Sequence, residues 1–140
     1  MMSKRALVII APGCEEIEAV TSIDTLVRGN IKVTVASINP NKQREVVASR
    51  GVHLVADHLL EEVAHETFDV IVLPGGLPGA EYLRDNPMVI ELLKKQNVDV
   101  VLTIGSLTAM NYPIKQVQVV TIANGGVVQV SKLGGSIYNG

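Results

Sequence analysis

The sequence predicts a single α/β domain over residues 1–140, with a mainly parallel central sheet and helices on both of its faces. Three observations carry that prediction. Apolar runs at Ala6 to Ala11, Phe68 to Leu73 and Asp99 to Ile104 each stop at a small-residue turn, namely Pro12-Gly13, Pro74-Gly75-Gly76 and Gly105-Ser106. Such runs suit strands covered on both faces, as in parallel sheets. Each turn then opens a helical stretch, which repeats the order strand, turn, helix. Finally, 47% of the residues are apolar but only 3% aromatic, so a core must be built from Val, Ile, Leu and Ala. A chain of 140 residues is long enough for one such core, burying roughly two thirds of the surface exposed when unfolded.

Taken in order, Ala6 to Ala11 reads as a buried central strand. Glu15 to Arg28 reads as a helix: Ile17, Val20, Ile23 and Val27 recur at helical spacing, and acidic residues crowd the first turn, where the macrodipole favours them. Gly29-Asn30 stops it. Ile31 to Ile38 is a second strand, with Val33 and Val35 alternating against Lys32 and Thr34, which completes a β-α-β unit. After the polar turn Asn39 to Lys42, the segments Val46 to Ser49 and Val52 to Val55 flank Arg50-Gly51 as a small antiparallel excursion. Leu59 to His65 fits a short helix, and Gly79 to Gln96 a longer one, broken or kinked near Asn86-Pro87. Towards the end, Asn124-Gly125-Gly126 between the runs Val117 to Ile122 and Val127 to Val130 signals a hairpin. Gly134-Gly135-Ser136 follows, with no long terminal helix after it.

Several function classes are disfavoured. A net charge of -2 and a pI near 5.9 give no electrostatic footprint for nucleic acid. No apolar run approaches the ~20 residues of a membrane span, and the stretch before Gly13 is short for a signal peptide. Cys14 is the single cysteine, which rules out an internal disulfide and points to a reducing, cytoplasmic setting. His58 and His65 stand seven apart without a Cys or His partner, so neither a metal site nor a cofactor is expected.

In open parallel sheets, ligands bind beyond the carboxyl ends of the strands. That places Pro12 to Glu18, Pro74 to Gly79 and Gly105 to Thr108 around one candidate crevice. The stretch Lys4 to Glu18, with Gly29 to Ala36, Ser49-Arg50-Gly51 and Phe68 to Gly76 in the same order, resembles the ThiJ/PfpI superfamily, and within it the group of the parkinsonism-associated deglycase and its bacterial relatives. The resemblance is dense over residues 3–96 and thins beyond 104. It implies a flavodoxin-like sandwich, a homodimer, and a cysteine at a strand-to-helix elbow beside a protonated glutamate and two backbone N–H groups. It also implies action on small reactive carbonyls as a glyoxalase or deglycase, or redox-sensitive chaperoning, with proteolysis in some branches. By position the glutamate is Glu18, the pocket glycines are Gly75 and Gly76, and the arginine near pocket and dimer contact is Arg50. The elbow cysteine is absent: Gly105 holds its position and Ser106 follows. Ser131 to Ser136 echoes the family's late strand and turn, with the terminal helices missing.

Each candidate has a plainer reading beside the functional one. Glu18 is either a buried neutral carboxyl that works as acid or base, or a solvated residue of the first helical turn. Gly75 and Gly76 offer N–H donors to an oxyanion, or simply meet the dihedral demands of a turn. Ser106 is a nucleophile lacking a histidine to take its proton, or an N-cap, and its N–H would complete an anion site. Cys14 is a relocated redox thiol at a helix start, opposed by the charges of Glu15 and Glu16, or a small packing residue. Arg50 is a pocket residue or a solvated turn residue. Two functions compete: a reactive-carbonyl protein with weak or no catalysis, and a non-catalytic, redox-responsive chaperone or binding module acting as a dimer. A shortened chain without evolved activity is the third reading.

Overall fold

The computed structural model describes residues 3–94 in full, and the backbone alone of residue 95 and of three further strands, 100–104, 118–123 and 127–132. In chain order the elements are β1 (Arg5–Ile10), α1 (Glu16–Arg28), β2 (Lys32–Ser37), β3 (Glu45–Val47), β4 (His53–Val55), β5 (His58–Leu59), α2 (Leu60–Val63), β6 (Val70–Leu73), α3 (Gly79–Asp85), α4 (Pro87–Lys95), β7 (Val100–Ile104), β8 (Gln118–Ala123) and β9 (Val127–Lys132). Seven strands form one sheet in the order β5-β2-β1-β6-β7-β8-β9. Every pairing in it is parallel except β8 with β9, whose antiparallel register closes on Ala123 opposite Val127. That is the hairpin the Asn-Gly signal predicts; the turn residues 124–126 lie outside the described residues.

β1 shows why an unbroken apolar run makes a central strand. Successive side chains point to opposite faces, so both faces must be dry. Leu7 and Ile9 enter a layer with Leu60, Phe68, Ile71, Leu83 and Leu93, beneath α2, α3 and α4. Val8 and Ile10 enter the other layer with Ala19, Val46, Ala48 and Val72, beneath α1 and the β3–β4 hairpin. Each fully buried aliphatic side chain in these layers stabilises the fold by roughly 1.5–3 kcal/mol. Helices therefore cover both faces, as expected from the composition.

The break between α3 and α4 has a local cause. Asn86 Oδ1 accepts the amides of Met88 at 2.9 Å and Val89 at 3.2 Å, and Pro87 takes the first helical position, where no N–H is needed. In α1 the structure departs from the expected stripe. Glu16, Ala19 and Ser22 are the buried positions, while Ile17, Val20 and Val27 are 73%, 44% and 54% exposed. The small side chains of Ala19 and Ser22 suit a close approach to the sheet, and the hairpin engages the Glu16 carboxylate. The edge strand β5, paired with β2 through Ala36–His58 and Ser37–Leu59, is too short for periodicity to reveal.

Candidate functional site

From β1 the chain passes through α1 to β2 on one side, while β6 pairs with β1 on the other. α1 and α2 lie on opposite faces of the sheet. The carboxyl ends of β1 and β6 thus form a topological switch point, where the diverging connections leave a crevice. β7 runs parallel to β6 with Thr103 opposite Leu73, so it ends at the same rim. Gly105 and Ser106, next in sequence, lie outside the described residues.

The loops after β1 and β6 are locked together backbone to backbone. Gly76 has φ +91°, and a Cβ there would stand 2.5 Å from the Glu15 nitrogen and 2.8 Å from the Gly13 oxygen. Gly13, at φ +81°, meets Pro78 as closely. The Glu15 amide donates to the Gly75 carbonyl at 2.8 Å. In return the Gly75 amide donates to Glu18 Oε2, also at 2.8 Å. Glu18 is half-buried, and burial pushes its carboxyl up from the ordinary range; the Gly75 N–H opposes this and the nearby charge of Glu15 adds to it. With the Gly75 amide engaged, the Gly76 amide finds no acceptor among the described residues.

Glu16, which the sequence reading treats only as a charge opposing a thiolate, is the hub of a second network. Ser49 Oγ donates to Glu16 Oε1 at 2.8 Å, with Glu15 Oε2 within reach at 3.1 Å. The Arg50 amide donates to Oε1 at 3.1 Å and Oε2 at 3.0 Å, and the Val52 amide approaches Oε2 at 3.4 Å. Burial raises the Glu16 pKa, but its own amide, the Ser49 hydroxyl and the Arg50 and Val52 amides outweigh that and hold it at about 2. The signal in the sequence was Ser49-Arg50-Gly51, a turn with Gly51 at φ +85° whose amides point the same way.

Arg50 therefore serves through its backbone; its side chain is exposed, with Nη1 3.5 Å from the Ser49 carbonyl. Cys14 is fully buried in the layer under α1, where desolvation, with the charges of Glu16 and Glu15, pushes the thiol up. The reactive form, the thiolate, is disfavoured there. Among the described residues no three His, Cys, Asp or Glu side chains are grouped to hold a metal ion, and no helix is long and apolar enough to cross a membrane.

Against known proteins, the model of the DJ-1/PfpI family matches residues 4–127. The chain belongs to the DJ-1/PfpI family. Protein dj-1beta of Drosophila melanogaster is 47% identical over 95 residues, covering 68% of this chain and 50% of that protein. A glutathione-independent glyoxalase of Caenorhabditis elegans is 39% identical over 94 residues, 66% and 48% of the two chains. The structure of oxidized Toxoplasma gondii DJ-1 superposes with a TM-score of 0.72 at 40% identity, covering 77% of this chain and 59% of that one. The chain spans about half the length of the curated relatives it matches. Within the DJ-1/PfpI fold, Glu18 and Gly75 join the first turn of α1 to the loop after β6 at the switch point, while Glu16 fastens α1 to the hairpin.

Proposed function

We propose that this DJ-1/PfpI chain binds small reactive carbonyl compounds in the crevice between β1 and β6, with weak or no turnover. The observation that carries this reading is the 2.8 Å hydrogen bond from the Gly75 amide to a Glu18 carboxyl whose pKa burial raises. A carboxyl that burial makes hold its proton more tightly donates, in its protonated form, a hydrogen bond to a carbonyl oxygen or moves a proton to it. In this reading the Gly76 amide faces the same oxygen. A similar protein is named a glyoxalase, which supports a reactive carbonyl as the ligand.

Covalent attack, however, needs an activated nucleophile. Gly105 stands where the family resemblance expects the elbow cysteine, Cys14 is buried elsewhere, and His53, His58 and His65 all precede Ser106 in the chain. The test is methylglyoxal consumption by the parent chain and by Glu18→Gln. We expect both to run near a heat-treated control. Turnover well above that control, lost in Glu18→Gln, overturns the loss of catalysis but keeps the site; turnover well above the control and equal in both chains removes Glu18 from it.

The second reading, a chaperone-like or binding module acting as a homodimer in a reducing, cytoplasmic setting, is favoured by one feature. Ile17, Val20 and Val27 on α1, with Val47 and Val52 on the neighbouring hairpin, are apolar and exposed. Such a patch marks an association surface, and a second copy presents the same patch in return. Light scattering of the parent should give twice the chain mass, and Ile17→Glu should give the monomer. A monomeric parent that does not suppress client aggregation counts against this reading.

A further inference from the structure

Beyond the carboxyl end of β2, on the sheet face covered by α2, α3 and α4, a second cleft of about 620 Å³ opens. Its size lies in the range of small-molecule sites. Ile38 and Leu60, 7% and 2% exposed, form its floor, and Pro87 and Met88 at the start of α4 form an apolar wall. Tyr82, 39% exposed, offers an aromatic ring at the edge. Neither Glu18, Gly75 nor Gly76 lines it, so the cleft is separate from the crevice described above.

Its charge is one-sided. Glu61, Glu81 and Asp85 line it against a single lysine, Lys42. Asp85 is already matched by Arg84, whose Nε and Nη2 donate to the carboxylate at 2.8 and 3.0 Å. The side chains of Glu61 and Glu81 have no hydrogen bond or ion pair with any other described residue. An apolar floor beside carboxylates that no described residue pairs matches a ligand with an apolar body and a cationic end. An aromatic ring near the mouth adds an attraction for the same cation. An anionic ligand of equal shape would meet repulsion from those carboxylates, and a neutral one would gain only the apolar contact.

We infer that this cleft is a binding site for small aryl- or alkylamines, whose apolar part lies over Ile38, Leu60 and Met88 while the ammonium group faces Glu61 and Glu81. The probes are 2-phenylethylamine, the neutral 2-phenylethanol and the anionic 3-phenylpropionate, titrated into the chain while NMR follows the Met88 methyl and the Tyr82 ring. The amine should shift both signals saturably and bind more tightly than the alcohol, with the acid weakest. Glu61→Gln and Glu81→Gln should each weaken the amine by about two- to fivefold, as for exposed ion pairs, and leave the alcohol unchanged. Added salt on the parent chain should reproduce that selective loss without any substitution. Glu18→Gln should leave the amine titration as it is, which separates this site from the carbonyl crevice. Absence of a saturable shift at Met88 and Tyr82, equal binding of amine and acid, or insensitivity of the amine to both salt and the two substitutions overturns the assignment.

Discussion

Glu16 and Glu18 stand two residues apart on α1, and their surroundings drive their carboxyl groups in opposite directions. Both are desolvated, but among the described residues Glu16 gathers the Ser49 hydroxyl and the Arg50 and Val52 amides, whereas Glu18 gathers only the Gly75 amide, with the charge of Glu15 nearby. The number of donors decides the sign. A pKa lowered to about 2 means that ionised Glu16 stabilises the fold above the ordinary value of 4.5, and that this is lost as pH falls through about 2. Glu16→Gln should therefore melt below the parent at neutral pH, with the gap closing between pH 4.5 and 2. For Glu18 the raised pKa favours the protonated form in the folded state. Its contribution is fully present below the unfolded-state value and is lost as pH rises through the folded one. Glu18→Gln, whose amide oxygen still accepts the Gly75 N–H, should melt above the parent at neutral pH and converge with it on acidification. Circular dichroism melts across one pH series check both. Parallel curves for either variant at all pH values contradict the corresponding assignment.

At the scale of elements, the glycine-rich loop after β6 and the face of α1 decide how the site is held. Gly76→Ala places a methyl group against the Glu15 nitrogen at a positive φ, so it combines backbone strain with a clash. Such strain costs about 1–3 kcal/mol before the clash is counted, and urea unfolding should show a loss at least that large. On α1, the two neighbouring stripes should respond differently. Ala19→Leu overfills the layer between helix and sheet and should cost about 1–3 kcal/mol. Ile17→Ser, measured at a concentration low enough to keep the chain monomeric, should stay within about 0.5 kcal/mol of the parent. The reverse order of effects would mean that Ile17, Val20 and Val27 face the sheet after all.

For the molecule as a whole, the parallel order β2-β1-β6-β7 collects four strand exits at one rim, and the antiparallel β9 closes the described sheet at its far edge. Much of this was legible in the residues. The runs Ala6 to Ala11 and Val70 to Leu73 declare strands buried on both faces, because burial on two sides leaves no polar position to alternate with. Asn86-Pro87 and Asn124-Gly125 declare a helix break and a hairpin, because each acts through its own backbone or its nearest amides. The partners of the site were not legible in that way. Glu16 meets Ser49 across 33 residues and Glu18 meets Gly75 across 57, and neither separation leaves a trace in local spacing. The same limit applies to α1, where periodicity marks two adjacent stripes as candidates for the core and only contact with the sheet and hairpin selects between them. Strand identity is thus a local consequence of where apolar side chains sit along the chain. Which way each carboxyl's pKa moves, and which helix face is dry, depends on groups that only folding brings within hydrogen-bonding or packing distance.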